Sequence, residues 1–450
     1  MSHVWNRLPG VAALLLLTIG LFYAGGAFAQ TPEAAPALLA HQSALELDGA
    51  GTAWLGTSTA LVLLMTLPGL ALFYGGMVRR KNVIATITPS VGVFAVVSLV
   101  WFIAGYSIAF GANADAALQP YVGSLDMLFL NGVSLATANS LLTGIPEYLF
   151  IAFQMTFAII TPALVTGAFA ERMKYSGLLL FTALWSLLVY SPICHWVWGG
   201  GFLGSAGVLD FAGGAVVHVN SGVAGLVCAI FLGRRKGYGV EPINPHNPVL
   251  TMIGASLLLV GWIGFNAGSA GAANELMGVA LLNTVLAAAA AALTWKIIEL
   301  IEKKKVSLIG MLSGVVAGLV AITPAAGFVD PKGAVIIGLI AGPVCYAASV
   351  WIKKLLRYDD SLDAFGIHGA GGLIGALLTG VFATTAINSL SEGANVGAQA
   401  LGLVWTIVYS AVGTLVILFI CKFTTGLRVS EAEETAGLDT SLHGEALETV

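Results

Sequence analysis

Apolar residues in this chain recur in runs of about 20, and that pattern leaves few folds open. A helix of that length covers ~30 Å, the thickness of a bilayer's hydrocarbon core. Only 9% of the 450 residues are charged and 58% are hydrophobic, whereas about a quarter of a soluble domain is charged. A water-facing surface cannot be built from these residues. The 56 glycines suit membrane helices whose backbones pack closely, and a net charge of −4 gives no sign of nucleic-acid binding. The expected fold class is all-α, a polytopic membrane protein.

The first 29 residues read as a cleaved signal peptide. Arg7 supplies a positive start, Val11 to Tyr23 an apolar stretch, and Ala27-Phe28-Ala29 a small-x-small cleavage site. Residues 30–53 would then form a segment outside the cytoplasm. Eleven spans follow, near 54–75, 84–108, 148–169, 177–197, 214–232, 248–268, 276–299, 308–325, 334–352, 366–386 and 399–424. Of 19 Lys and Arg, Arg7 lies in the leader; with the mature N-terminus outside, only Lys332 of the other 18 falls on the outer side. That asymmetry obeys the positive-inside rule and predicts an N-out, C-in topology. A tail over 425–450 would lie in the cytoplasm.

A repeat is visible in the fifth and tenth spans. His218 is followed by Gly222 and Gly225, and His368 by Gly372 and Gly375, the same offsets on one helical face. Two five-span units, 54–232 and 248–386, each have an odd number of crossings and so insert in opposite senses. An inverted five-helix repeat plus one bracing helix (399–424) is expected, with the substrate path between the halves near the membrane midplane.

Few polar groups are available at lipid depth, where they are costly and commonly functional. His218 and His368, at matching repeat positions, are the first candidates for the pore. Facing each other, one imidazole can donate to the other and leave the remaining nitrogens for a proton or a small amine. Asp210, just before the fifth span, reads as a helix cap with electrostatic influence on the mouth, and Asp363 before the tenth invites the same reading. Phe153, Phe157, Trp198, Trp262 and Phe265 cluster toward the outer ends of their spans. Each alone could be packing or an interfacial belt; together with Ser269 they could make a cation–π site of about 0.5–2 kcal/mol. Cys194, Cys228, Cys345 and Cys421 lie within apolar segments as packing residues. No nucleophile–base set, phosphate loop or HExxH is present, so no enzyme activity, cofactor or metal is implied.

Four segments carry a family resemblance. Pro68-Gly69-Leu70-Ala71-Leu72-Phe73-Tyr74-Gly75-Gly76-Met77 comes first, then Asp210-Phe211-Ala212-Gly213-Gly214 continuing to His218-Val219-Asn220. Trp262-Ile263-Gly264-Phe265-Asn266-Ala267-Gly268-Ser269 and Phe365-Gly366-Ile367-His368-Gly369 follow in order. Together they resemble the ammonium transporter (Amt/Mep/Rh) family, in its bacterial Amt form, over about Trp54 to Glu445. The resemblance implies a homotrimer in the bacterial inner membrane with one pore per subunit. It implies that Phe157, Trp198 and Ser269 recruit ammonium, and that Phe157 and Phe265 form a gate. His218, His368, Trp262 and Thr323 would line the pore, with Asp210 the external-side aspartate. Thr156, between the two phenylalanines, replaces a serine of some relatives. The tail, with Gly426-Leu427-Arg428-Val429 and His443-Gly444-Glu445, is similar to the element that couples subunits and meets PII-family signalling proteins. Ammonium would bind at the aromatic mouth, lose a proton and pass the histidines as ammonia. The alternative is an ammonium sensor signalling through its tail.

Overall fold

Residues 42–447 are described by the computed structural model; the leader expected over 1–29 lies outside the described residues. Eleven apolar helices run through them in chain order. The first repeat comprises α1 (Gly49–Met77), α2 (Arg80–Phe110), α3 (Glu147–Phe169), α4 (Tyr175–Ser205) and α5 (Gly214–Leu232). The second comprises α6 (Pro248–Gly268), α7 (Glu275–Lys303), α8 (Leu308–Ile322), α9 (Pro331–Leu356) and α10 (Ala364–Phe382). The last span is α11 (Val396–Thr424). Two short helices, α12 (Glu431–Ala436) and α13 (Leu438–His443), form the tail. A small antiparallel pair, β1 (Gln42–Ala44) with β2 (Thr137–Asn139), closes the face opposite the basic loops, hereafter the far face.

Local chemistry fixes where the helices begin. Side chains of Asp48, Asn247, Asn274, Ser307, Asp330 and Asn395 accept bonds from first-turn amides of α1, α6, α7, α8, α9 and α11. These caps satisfy amides that no helix can pair internally, and Pro248 and Pro331 stand where a missing N–H costs nothing. The Asp48 cap starts α1 five residues before the expected 54. Among the described residues ten helices are long enough to span; α8, at 15 residues, is shorter because Thr323-Pro324 turns the chain inside the protein. Ala325, Ala326 and Val329, just beyond, are fully buried. Likewise α10 stops at Phe382, short of the expected 386, where Thr384 N bonds to Phe328 O at 2.9 Å.

The two halves contact each other by matching pairs. Both α5 and α10 open with a wide π turn, Gly214–Val219 and Ala364–Gly369, each holding its histidine. Ser361 N donates to Ala168 O in the last turn of α3 (3.2 Å), and Phe211 N donates to Pro324 O just beyond α8 (3.1 Å). Where α5 and α10 cross, a Cβ on Gly222 would lie 2.2 Å from Gly369 N, and one on Gly372 2.9 Å from the Val219 side chain. Gly369 and Val219 each follow their histidine, so the contacts exchange under a two-fold relation. α11 then braces both halves: Ser410 Oγ donates to Asn220 O of α5 (2.9 Å), and Gln399 Nε2 to Ala376 O of α10 (3.1 Å).

Gly222 therefore leaves no room for a side chain. Gly222→Val should lower the melting temperature sharply or prevent assembly, since overpacking costs about 1–3 kcal/mol even where neighbours can shift. Gly278→Val, where nothing lies within 4 Å, should leave melting in detergent unchanged.

Candidate functional site

The carboxylate of Asp210 prepares the start of α5, the helix that carries His218. Its oxygens accept the amides of Gly213 (2.9 Å), Gly214 (2.6 Å), Ala215 (2.9 Å) and Val216 (3.0 Å). Gly213, at φ 115°, supplies the left-handed bend that folds the chain back over the carboxylate, a conformation in which side chains are strained. His218 follows two residues after the last of these amides. In the other half Asp360, not Asp363, does the capping, accepting Ala364 N (3.0 Å) and Phe365 N (2.8 Å). Asp363 adopts the left-handed conformation at φ 59° and pairs with Lys353 instead.

These two starts bring the histidines together. His218 Nδ1 and His368 Nδ1 are 3.2 Å apart, with the rings 5.3 Å between centroids and 22° from parallel. Both residues are buried. A bond between two like nitrogens requires one donor and one acceptor. The neutral pair thus holds one proton between the rings and a second on the outer nitrogen of the accepting ring. The donating ring's outer nitrogen keeps a lone pair. Among the described residues, His218 Nε2 has no protein partner.

An aromatic column continues toward the far face. Trp262 stacks on His218 at 5.3 Å and Phe265 at 5.9 Å. Phe265 lies 4.3 Å from Phe157, Phe157 meets Trp198 edge-on at 5.9 Å, and Phe153 meets Phe157 at 5.0 Å. Trp198 is half-buried and donates to Asp210 O (2.8 Å), so the aspartate's backbone orients the outermost ring. Ser269, also half-buried, donates to Phe265 O (2.8 Å). Thr323 takes the Trp262 indole N–H (2.9 Å) and donates to Leu319 O, which fixes the ring that lies on His218. The arrangement is a column of aromatic rings with the imidazole pair at its inner end.

Residues 53–447 match the Ammonium Transporter Family. The chain is 48% identical to an ammonium transporter of Aquifex aeolicus over 90% of this chain and 95% of that protein. The structure is similar to that of Saccharomyces cerevisiae Mep2, with TM-score 0.78 and 35% identity, covering 86% of this chain and 88% of the other. It is also similar to a structure described as a sensor Amt protein, with TM-score 0.80 and 32% identity over 87% and 98% of the two chains. The chain belongs to the ammonium transporter family.

In this family member, two features escaped the sequence reading. One is a third buried histidine, His195 in α4, whose ring nitrogens face Ala109 O (2.9 Å) and Gln119 O (2.7 Å). It ties α4 to the end of α2 and takes no part in the pair. The other is a charge network on the basic face. Glu171 is held by Arg79, Arg235 and Asn82, while Arg235 also forks onto Asp359. Burial would raise both carboxyls, but Arg235 and the other donors leave Glu171 and Asp359 below their ordinary values. Burial lowers Arg172, beside Asp359, to about 10. Asp360 is pushed up to about 6 by burial and by Asp363.

The tail is fastened onto this network. Arg428 donates to Leu232 O and to Glu434, and Lys236 N donates to Glu434. Asp439 takes Ala85 N, and Asn82, already bound to Glu171, takes Leu438 N (2.8 Å). With folded values depressed, Glu171 and Asp359 contribute stability that is complete above their ordinary values of 4.5 and 3.8 and lost as pH falls through the depressed ones. Protection against amide exchange over 427–443, measured relative to the intrinsic rate at each pH, should therefore be high at pH 7 and fall in acid. Glu171→Gln should show faster exchange there already at pH 7.

Substitution separates the two capping aspartates from their neighbour. Asp210→Ala strands four amides and should cost about 2 kcal/mol or more, read as a fall in melting temperature. Asp360→Ala should follow in the same direction, and Asp363→Ala should cost less than either.

Proposed function

We propose that this chain moves ammonium across the membrane by binding the cation at the far-face aromatic mouth and passing ammonia along the histidine pair. The observation that carries this reading is the imidazole pair at 3.2 Å in an otherwise apolar column. A bare cation entering such a column would lose its hydration without a carboxylate to replace it. An aromatic mouth attracts a small cation through ring faces, and Phe157, Trp198 and Ser269 are the residues assigned to that step. Deprotonation leaves a neutral amine that can use the pair's outer lone pair and N–H in turn. Phe157 and Phe265 act as the gate, and Trp262 and Thr323 hold the His218 ring. Asp210 shapes the mouth by fixing Trp198 and the start of α5. Potassium, with no proton to lose, is rejected.

The rest of the reading follows the family. The protein works as a homotrimer in a bacterial inner membrane, with the far face outside and the basic face in the cytoplasm. The tail, clamped through Glu434 and Asp439, is the element a PII-family partner would meet. The likeness to a structure described as a sensor Amt protein gives the sensor reading a specific footing, and flux distinguishes the two.

Purified protein in liposomes should give an ammonium-driven current or internal pH change. The His218→Ala, His368→Ala double variant should lose that signal or its selectivity over potassium. Absence of any ammonium-dependent flux from correctly assembled wild type would overturn transport and favour the sensor. Trp198→Ala should raise the half-saturating ammonium concentration by roughly three- to thirtyfold, the equivalent of a lost cation–π contact.

A further inference from the structure

We infer that residues 125–135, in the connection between α2 and α3, form an anchor embedded at the headgroup–hydrocarbon boundary of the far leaflet, with Leu125 and Phe129 against lipid acyl chains. The segment exposes large apolar side chains: Leu125 and Phe129 are each 59% exposed and Leu135 87%. In water these would form a costly patch, and such patches mark contact surfaces.

The backbone is arranged to produce that exposure. Phe129 and Leu130 are consecutive residues in the left-handed conformation, at φ 56° and 59°, where bulky side chains are strained. The reversal turns Leu130 onto the protein core and sends Phe129 outward onto Phe102 of α2, with rings 5.9 Å apart. Ser107 pins the segment from the other side, donating to Ser124 O (2.7 Å) and accepting Met127 N (3.1 Å). The connection therefore runs back along the outside of α2 instead of rising from its end.

Depth identifies the occupant. Arg79, Arg80 and Lys81 mark the basic-face start of α2. Counting from Val83, about 20 residues or ~30 Å of helix, one hydrocarbon thickness, reach Ile103. Phe102 and Ile103, each 40% exposed, thus stand at the far boundary of the hydrocarbon, and Phe129 lies on Phe102. The exposed side of α2 is continuous with the segment. Tyr148, 46% exposed and donating to Val133 O (3.0 Å), adds an aromatic of the type that settles at this level. No Lys or Arg occurs between Gly111 and Glu147, so the contact is apolar and does not depend on charged headgroups.

Spin labelling of the full-length protein in lipid nanodiscs tests this. A label at Phe129→Cys should collide with dissolved oxygen more often, and with a water-soluble nickel chelate several-fold less often, than one at Val240→Cys in a basic-face loop. It should approach the behaviour of Leu99→Cys on the exposed side of α2. The native cysteines are all buried and do not compete for the label. Nickel accessibility equal to that at Val240 would overturn the proposal in favour of a water-facing loop. Shielding from both reagents would overturn it in favour of cover by a second copy or another protein. Should Phe129→Cys fail to assemble, Leu125→Cys is read by the same criteria.

Discussion

Four backbone amides on the carboxylate of Asp210 determine where α5 begins, and much of the site follows from that start. A buried carboxylate is tolerated only if its lost hydration is replaced, and charge-assisted bonds to aligned amides are an effective replacement. The wide turn that gathers those amides also carries His218, so cap and imidazole are fixed together. Asp360 repeats the arrangement with two amides, eight residues before His368 as Asp210 is eight before His218. Two separate caps, one in each half, are needed for a single contact between rings. The Gly222–Gly369 approach then sets how near the helices can come, and any side chain there would part the nitrogens.

Charge is sorted by depth with equal economy. At lipid depth the two histidines face each other through Nδ1, while the guanidinium–carboxylate network is confined to the basic face. There Glu171 and Asp359 share Arg235, and removing one member would leave another buried charge unpaired, the costly case for ion pairs. Asp359 adjoins Asp360, the cap of α10, and Asn82 joins Glu171 to the tail at Leu438. The tail thus rests on the same set of charges that borders α10, one of the two histidine-bearing helices.

The spans were legible because lipid demands length and apolarity, and the paired histidines because an inverted repeat places them at equal offsets from glycines. Asp360 was not legible by inspection of one end alone. Three acids, Asp359, Asp360 and Asp363, stand close together, and proximity to the helix start favoured the wrong one. The spacing of eight from Asp210 to His218 was the signal that would have selected Asp360. The early end of α8 was hidden because residues 323–329 are as apolar as a span; they are buried by protein instead of lipid. The charge network joins residues far apart in the chain, and no local pattern announces such a partnership. The left-handed bend at Phe129 is illegible for the opposite reason, since local propensity argues against it.

The pair's proton count bears on what can pass. Two neutral imidazoles joined through Nδ1 present an N–H at one outer nitrogen and a lone pair at the other. Moving the shared proton, with one exchanged at each end, reverses that polarity without charging the pair. Under the proposed mechanism ammonia, both donor and acceptor, can engage either outer nitrogen in either state. An ammonium ion has donors only, and would meet the N–H end as repulsion beside the apolar faces of Trp262 and Phe265. Aromatic faces can hold such a cation at the mouth, where Trp198 is half-buried, but the column beneath offers no anion to draw it inward. Attraction outside and neutrality inside would act on different protonation states of one substrate, and under the proposed mechanism the proton parts from the amine between Trp198 and His218.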